Sequence, residues 1–413
     1  MLNCKTESNR WLIVAICSLL FSLSMFYRVS TAVIAPDLIE EFKLTNDELG
    51  FCTASFFYAF AIFQIPIGFL LDRFGARKIM TALTVLGGFG AILFSNSQNI
   101  TSLITGRVFL GIGMAANMMG SLLLLTKLFK QKEFATLSGI IVSVGTVGAM
   151  LATSPLVILN QAIGWRKTFG LIGILTLFLG CFFFFIVKED AEPSKNPIDK
   201  RISLFKTLKK LFFNHNYWAI SIGTFIRYGI YVAVQGLWAG PFLINVLHLS
   251  PLVTGNILLI LNIGFIFGCP VGGYLSDRIL CSRKKAILLG FTIMAISLLA
   301  IWSNISSSLI WLGVIFFFLG FGSSFGQIMY AHIKELMPLN MAATAMTGIN
   351  FFTMAGGAIF LHGFGVFLSM RFLSSYSLLS LYNMAFLLCF VIVLVGLGIY
   401  LTTKEKGFEE LKT

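Results

Sequence analysis

The stretch "GFLLDRFGARKIM", Gly68 to Met80, sets one aspartate, three basic residues and two glycines into a chain that is otherwise strongly apolar. A second stretch, "GGYLSDRILCSRKKA" from Gly272 to Ala286, follows 205 residues after the first, with Asp277 and Arg278 at the places of Asp72 and Arg73. Charged turns of this kind need water. The apolar runs on either side of them need a different solvent, and identifying it decides the fold.

Of the 413 residues, 57% are apolar and only 11% are charged, and the mean hydropathy is +0.90. That leaves too few polar side chains to cover a water-soluble surface, so lipid must be the main solvent. A membrane-crossing helix takes about 20 mainly apolar residues, because in hydrocarbon every backbone amide must be satisfied within its own helix. Breaks at charged or polar turns give spans over residues 11–35, 49–71, 78–96, 102–127, 135–161 and 165–187, then 217–245, 252–275, 285–303, 308–332, 340–369 and 377–402. An all-α membrane protein with twelve transmembrane helices is expected. The apolar run after Lys5 and Arg10 continues for a full span, so it reads as an uncleaved helix rather than a signal peptide.

Loops rich in Lys and Arg stay on the cytoplasmic side. With the N-terminus inside, Lys43, Arg166, Lys167 and Arg371 fall in outer loops, Arg28, Arg107 and Arg227 fall within spans, and the rest of the 30 Lys and Arg lie on the cytoplasmic side. Both termini are therefore expected to be cytoplasmic. The net charge of +13 reads as a topology signal, and no nucleic-acid partner is needed to explain it. The seven cysteines are scattered, with no C-x-x-C pair and no histidine at ligand spacing. Neither a disulfide framework, a metal site nor a cofactor is expected.

Shifting the chain by 205 residues superposes "APDLIEEFKLT" (Ala35 to Thr45) on "GPFLINVLHLS" (Gly240 to Ser250) without a gap. From Pro36 to Arg73, ten of 38 columns are identical, enough to read the chain as a duplication. Two six-helix halves follow, residues 1–187 and 216–413. The polar segment 188–215, rich in mixed charge, is the cytoplasmic linker between them.

Six plus six spans in parallel halves, both termini inside and a charged turn after the second span of each half: this resembles the major facilitator superfamily, over essentially the whole chain. The opening stretch is similar to that family's loop signature G-x-L-x-D-R-x-G-x-R-K, filled here by Gly68, Leu70, Asp72, Arg73, Gly75, Arg77 and Lys78. The second copy keeps Gly273, Leu275, Asp277 and Arg278 but lacks the later glycine. Physically, Gly68 would let two helices approach closely, Asp72 would accept hydrogen bonds from a helix N-terminus and pair with Arg, and Gly75 would close a short turn. The resemblance implies that Asp72 stabilises an outward-open state. Gly68, Asp72, Arg73, Gly75, Arg77, Asp277 and Arg278 are thus the candidate gating set.

None of the 17 acidic residues falls well inside a span. A lone guanidinium in hydrocarbon costs at least ~2.5 kcal/mol, so Arg28, Arg107 and Arg227 should each face a cavity or a partner. A positive cavity invites an anion. Arg28 lies eight residues before Pro36, ~12 Å below the outer end of the first helix, which is deep for snorkelling. The residues "FYRVSTAVIAPDLIEEF" (Phe26 to Phe42) and "SFFYAFAIFQIPIGFLLDRFG" (Ser55 to Gly75) resemble the opening of the anion:cation symporter branch. That resemblance implies that Arg28 binds a substrate carboxylate, where bidentate pairing favours Arg over Lys. Two departures stand out. Tyr27 replaces the acidic residue that often precedes this arginine, and Met114 replaces the branch's glutamate seven residues after Arg107. A proton-coupling mechanism built on those carboxylates does not transfer.

In span seven Thr224, Arg227, Tyr228, Tyr231, Gln235 and Trp238 recur at three- and four-residue steps, so one face should line a polar cavity. Arginines in spans one and seven are also similar to the pattern of the organophosphate antiporters, although Arg227 aligns with Ser22 rather than Arg28. Other polar candidates are Tyr58 and Gln64 in span two, Asn117 in span four, Asn262 in span eight, Gln327 in span ten and Asn350 in span eleven. An Asn or Gln in a bundle is more often an interhelical bond than a ligand contact. His362 reads as a histidine deep in the membrane and is the candidate for a coupling proton. Span five has Thr146 where the antiporter signature G-P-x-x-G would place proline, which disfavours a proton-driven drug exporter.

These residues point to a secondary active transporter that imports a small organic anion or zwitterion by alternating access. Arg28, Arg107 and Arg227 would supply charge, and Tyr58, Tyr228, Tyr231, Gln235, Gln327 and Asn350 would orient the ligand. Parallel repeats place such a site near the bilayer midplane. The same opening also resembles bacterial importers of amino acids or nucleosides, which would carry a largely neutral site. A membrane solute sensor is a third reading, and an enzyme is not expected. The expected setting is a monomer in a bacterial inner membrane or a plasma membrane, with lipid, the solute and a coupling proton as candidate partners.

Overall fold

The computed structural model describes residues 4–129, 131–187, 209–303, 308–370 and 376–405, without the side chains at 4–9, 69, 72, 131–136, 339–340 and 342–343. Among these residues the regular elements are helices. Eleven are long and apolar enough to cross a membrane alone. Spans one to four are Arg10–Val29, Asn46–Gly68, Arg73–Ser95 and Ile100–Leu128, and span six is Trp165–Ile186. Spans seven to twelve are His215–Val246, Pro251–Ile279, Arg283–Trp302, Leu309–Leu336, Thr344–Leu368 and Leu378–Leu401. Span five is a pair, Leu137–Leu151 and Ser154–Ile163, bent by 45°. With that bent pair counted as one span, the described residues hold the twelve that the apolar runs predict.

The bend in span five has a local cause. Pro155 stands in the first turn of Ser154–Ile163, where it offers no N–H to the preceding turn and its ring crowds the carbonyl four residues back. Span one also stops short of its expected end. It gives way after Val29 to a separate helix, Thr31–Phe42, which contains Pro36 and closes on Lys43 in the left-handed region.

Spans two and three form one 50-residue helical run interrupted only at Gly75, with φ 81° and ψ 158°. Glycine alone enters that region readily, so the turn in the opening motif is made where the sequence places it. The second copy has Leu280 at the equivalent position and solves the problem differently. Leu275–Ile279 widens into a π turn, with the Leu280 N–H bonded to the Leu275 carbonyl at 2.8 Å. The left-handed residue then falls one place later, at Cys281 with φ 43°. A π turn inserts one residue into a helix, which accounts for the slip.

The chain divides into two compact units, Met1–Leu44 with Phe51–Lys195, and Thr45–Gly50 with Asn196–Thr413. Most of the expected linker, residues 188–208, lies outside the described residues. Inside the first unit, spans three and four touch backbone to backbone: a Cβ on Gly106 would come 2.8 Å from the Phe94 nitrogen. Small residues permit this because association in lipid depends on close packing.

Candidate functional site

In the second unit the polar face of span seven meets spans eight, ten and eleven. Arg227 is only 2% exposed, and its Nη1 donates to the main-chain carbonyl of Ser323 in span ten. The guanidinium fills the space that a Cβ on Gly326 would need. Glycine at 326 is therefore what admits the arginine. Its Nε and Nη2 are buried and have no hydrogen-bond partner among the described residues. The hydroxyls of Tyr330, Tyr228 and Tyr231 and the thiol of Cys269 lie within electrostatic reach, and the Tyr228 ring centroid is 5.9 Å from its Cζ.

Hydroxyls and amides extend this patch. Tyr330 donates to Asn350 Oδ1 at 3.1 Å and lies 3.3 Å from Thr353 Oγ1. Thr353 Oγ1 in turn lies 3.0 Å from Thr224 Oγ1. Gln235 Nε2 donates to Asn262 Oδ1, so these two amides pair across spans seven and eight. Tyr231 stacks on Phe265 with ring centroids 5.2 Å apart. The structure thus brings Arg227, Tyr228, Tyr231, Gln235 and Asn350 into one unit's polar interior. Gln327 is exposed. Sequence reasoning missed Thr353, Tyr330, Ser323 and Gly326. The last three sit at three- and four-residue steps on span ten, a signal the stripe argument could have used.

In the first unit the two arginines differ. Arg107 is fully buried and bridges three spans, donating from Nη1 to the Tyr27 carbonyl at 2.9 Å and from Nη2 to the Thr53 carbonyl at 3.2 Å. Those bonds make it a strut. Arg28 is 6% exposed, with its Cζ 4.6 Å from the centre of the Phe60 ring. Tyr27 Oη lies 2.9 Å from Thr176 Oγ1. Tyr58 is half-buried with its ring 6.5 Å from Phe51. Gln64 donates to the Ala115 carbonyl at 3.0 Å, and Asn117 to the Leu20 carbonyl at 3.1 Å, which are interhelical bonds of the expected kind.

The candidate gating residues are anchored at one end. Arg77 Nε donates to the Phe184 carbonyl at 2.9 Å and its Cζ lies 4.1 Å over the Phe184 ring. Phe184 is in the last turn of span six, where carbonyls lack helical partners and the helix dipole attracts a cation. Arg73 lies over Phe74 at 5.2 Å, and the side chain of Asp72 is outside the described residues. The close approach expected at Gly68 is not made: among the described residues a Cβ there would meet nothing within 4 Å, and the same holds at Gly273. In the second copy Asp277 pairs with Arg283, which also holds Glu335 at 2.9 Å. Arg278 is exposed.

His362, the candidate for a coupling proton, has a carboxylate beside it. Its side chain is 28% exposed and its Nε2 lies 3.0 Å from Asp47 Oδ1, at the first turn of span two. A partner 315 residues away is invisible in the local sequence around His362.

Comparison with known proteins agrees with this architecture. The description Major Facilitator Superfamily matches residues 14–361 and again residues 236–410. The nitrite extrusion protein of Bacillus subtilis (strain 168) is 27% identical over 265 residues, 62% of this chain and 64% of that protein, so this chain spans less than two thirds of that relative's length. The "Probable galactarate/D-glucarate transporter GudP" of Escherichia coli (strain K12) is 22% identical over 397 residues, 86% of each chain. The crystal structure of a bacterial homologue of the human lysosomal transporter Spinster, inward-facing and unoccupied, superposes with a TM-score of 0.78 at 17% identity, covering 95% of this chain and 96% of that one. At that identity the likeness speaks for the fold. With the family matched over most of its length and at least eleven membrane-length helices among the described residues, the chain belongs to the Major Facilitator Superfamily and is a multi-pass integral membrane protein.

Proposed function

We propose that the chain is a secondary active transporter that imports a small, carboxylate-bearing organic anion or zwitterion by alternating access. Its setting is a bacterial inner membrane or plasma membrane, with both termini cytoplasmic and the halves 1–187 and 216–413 joined by the linker 188–215. The working unit is a monomer. The observation that carries this reading is the Nε/Nη2 edge of Arg227, two buried donors with no hydrogen-bond partner among the described residues. That edge packs against Gly326, and it would take a carboxylate as a fork once a ligand parts it from span ten. A buried cation with unmet donors is costly and is retained where function uses it. Thr224, Tyr330, Asn350 and Thr353 supply hydroxyls and an amide beside it. Within the first unit Arg28 is the candidate anion contact, while Arg107 braces the helices. The names of the relatives, nitrite and galactarate/D-glucarate, are those of anions.

The test is thermal stabilisation of the purified protein by D-glucarate, succinate, nitrite and neutral amino acids, paired with counterflow in reconstituted vesicles. An anion should stabilise the wild type, show saturable counterflow and lose both effects in Arg227→Ala. Vesicles with an imposed pH gradient then decide whether a proton accompanies it. Equal stabilisation of wild type and Arg227→Ala would remove Arg227 from the site. Stabilisation by neutral amino acids alone would replace the anion with an uncharged or zwitterionic cargo.

A further inference from the structure

Asp47 and His362 meet in a contact that the transport reading does not use. Asp47 Oδ1 lies 3.0 Å from His362 Nε2, and the Asp47 main-chain N–H donates to Ser369 Oγ at 3.0 Å, just past the end of span eleven. Backbones touch beside these two bonds. A Cβ on Gly50 would stand 3.1 Å from the Leu361 carbonyl oxygen and 3.3 Å from the Trp238 ring. A Cβ on Gly365 would collide with the Asn46 carbonyl. The segment Thr45–Gly50 accordingly groups with the second unit, although the helix it begins continues into the first. One helical turn is gripped by a side-chain pair, a hydroxyl and a backbone contact. Of these three contacts, only the side-chain pair joins two ionisable groups.

We propose that Asp47 and His362 form a pH-sensitive clasp that fastens the first turn of span two to span eleven. Histidine is the side chain whose charge ordinarily changes in the physiological range. Protonated, it gives the carboxylate a charge-assisted bond; neutral, it leaves a weaker one. Two further groups are packed here among the described residues. Glu48, on the same turn, accepts from the N–H and Oγ1 of Thr45, both at 2.9 Å. Span seven, the third element packed here, contributes the neutral indole of Trp238, which donates to the Leu361 carbonyl at 2.9 Å. The side chains of His362 and Asp47 are 28% and 49% exposed, so water moderates the gain. The clasp therefore biases the release of this turn without governing it outright. It makes the freedom of the start of span two depend on the acidity of the compartment that it faces, and it requires no proton to cross the membrane.

Hydrogen exchange on the full-length protein in nanodiscs tests this. After correction for the intrinsic pH dependence of exchange, peptides covering residues 45–50 should be better protected at about pH 6 than at about pH 8, by up to about five-fold for a partly exposed pair. Asp47→Asn and His362→Gln should each flatten that profile, and the double variant should lose no more than either single one. A wild-type profile that is already flat overturns the proposal. So does a pH dependence that survives in either variant. If one variant fails to fold, the other tests the same bond from the opposite side.

Discussion

Lys43 and His248 stand 205 residues apart and share a backbone conformation that neither side chain favours, with φ 54° and 53°. Each is followed two residues later by a hydroxyl that caps a helix. Thr45 Oγ1 accepts the Glu48 N–H at 3.2 Å, and Ser250 Oγ accepts the Val253 N–H at 3.3 Å. A left-handed residue after a helix, then a cap, is a way to end one helix and start the next within a few residues. The side chains at 43 and 248 have diverged while the backbone has not. A repeated strained conformation is thus strong support for duplication, because composition cannot produce it by chance.

Relieving that strain should stabilise the protein. Lys43→Gly and His248→Gly are each expected to raise stability by about 0.5–1 kcal/mol, since glycine enters this region without the Cβ penalty. Gly75→Ala should do the reverse and cost about 1–3 kcal/mol. Thermal unfolding in detergent reads all three. A lower melting temperature for both glycine variants would mean that contacts of Lys43 and His248 outweigh their backbone cost.

The spans and the duplication are legible in the sequence because both are local. Bilayer thickness fixes the length of each apolar run, and an offset of 205 needs only the chain itself. What escapes is non-local. The bonds from Arg107 to the carbonyls of Tyr27 and Thr53 reach 80 and 54 residues along the chain. Asp277 takes Arg283 as its partner, and Arg283 also holds Glu335, 52 residues away. Of the site, the span-seven stripe could be read from helical periodicity. Its complement on spans ten and eleven, Tyr330 and Thr353, depends on which helices are neighbours.

Arg107 and Arg227 should respond oppositely to truncation. Arg107→Lys keeps the charge but offers one compact ammonium to two carbonyls that a planar fork now satisfies, so it should destabilise the fold by about 1–3 kcal/mol. Affinity of the folded fraction for an anion should be unchanged. Thermal melts and equilibrium binding on the same samples separate the two effects. A large affinity loss in Arg107→Lys without a change in melting would place Arg107 at the ligand instead.

Gly326→Ala tests the seating of Arg227 more sharply than removing the arginine. The new methyl would claim the space that the guanidinium occupies, so Arg227 must swing away or the helices must part. We expect a protein that melts within a few degrees of the wild type but binds an anion at least about tenfold more weakly, a loss of about 1.4 kcal/mol. Arg227→Ala should melt at or above the wild-type temperature, because it removes a buried cation whose Nε and Nη2 lack partners among the described residues. Unchanged anion affinity in Gly326→Ala would show that the present seat of Arg227 is irrelevant to binding.

Asp37, in the helix that follows span one, gives a pH-dependent prediction. Burial raises its pKa, the Asn160 amide donating at 2.8 Å opposes this, and the charges of Glu40 and Glu41 raise it further. With the folded value above the unfolded one, the folded state holds this proton more tightly. Asp37 therefore favours folding below the unfolded value, and that advantage disappears as pH rises through the folded value. At neutral pH the carboxylate is charged in a half-buried place beside two like charges, so it weakens the fold. Asp37→Asn keeps a hydrogen-bonding amide toward Asn160 and cannot ionise. It should melt above the wild type at about pH 7, and the gap should close on approaching about pH 4, where carboxylates take up protons. A gap of constant size across that range would assign the effect to packing rather than to charge.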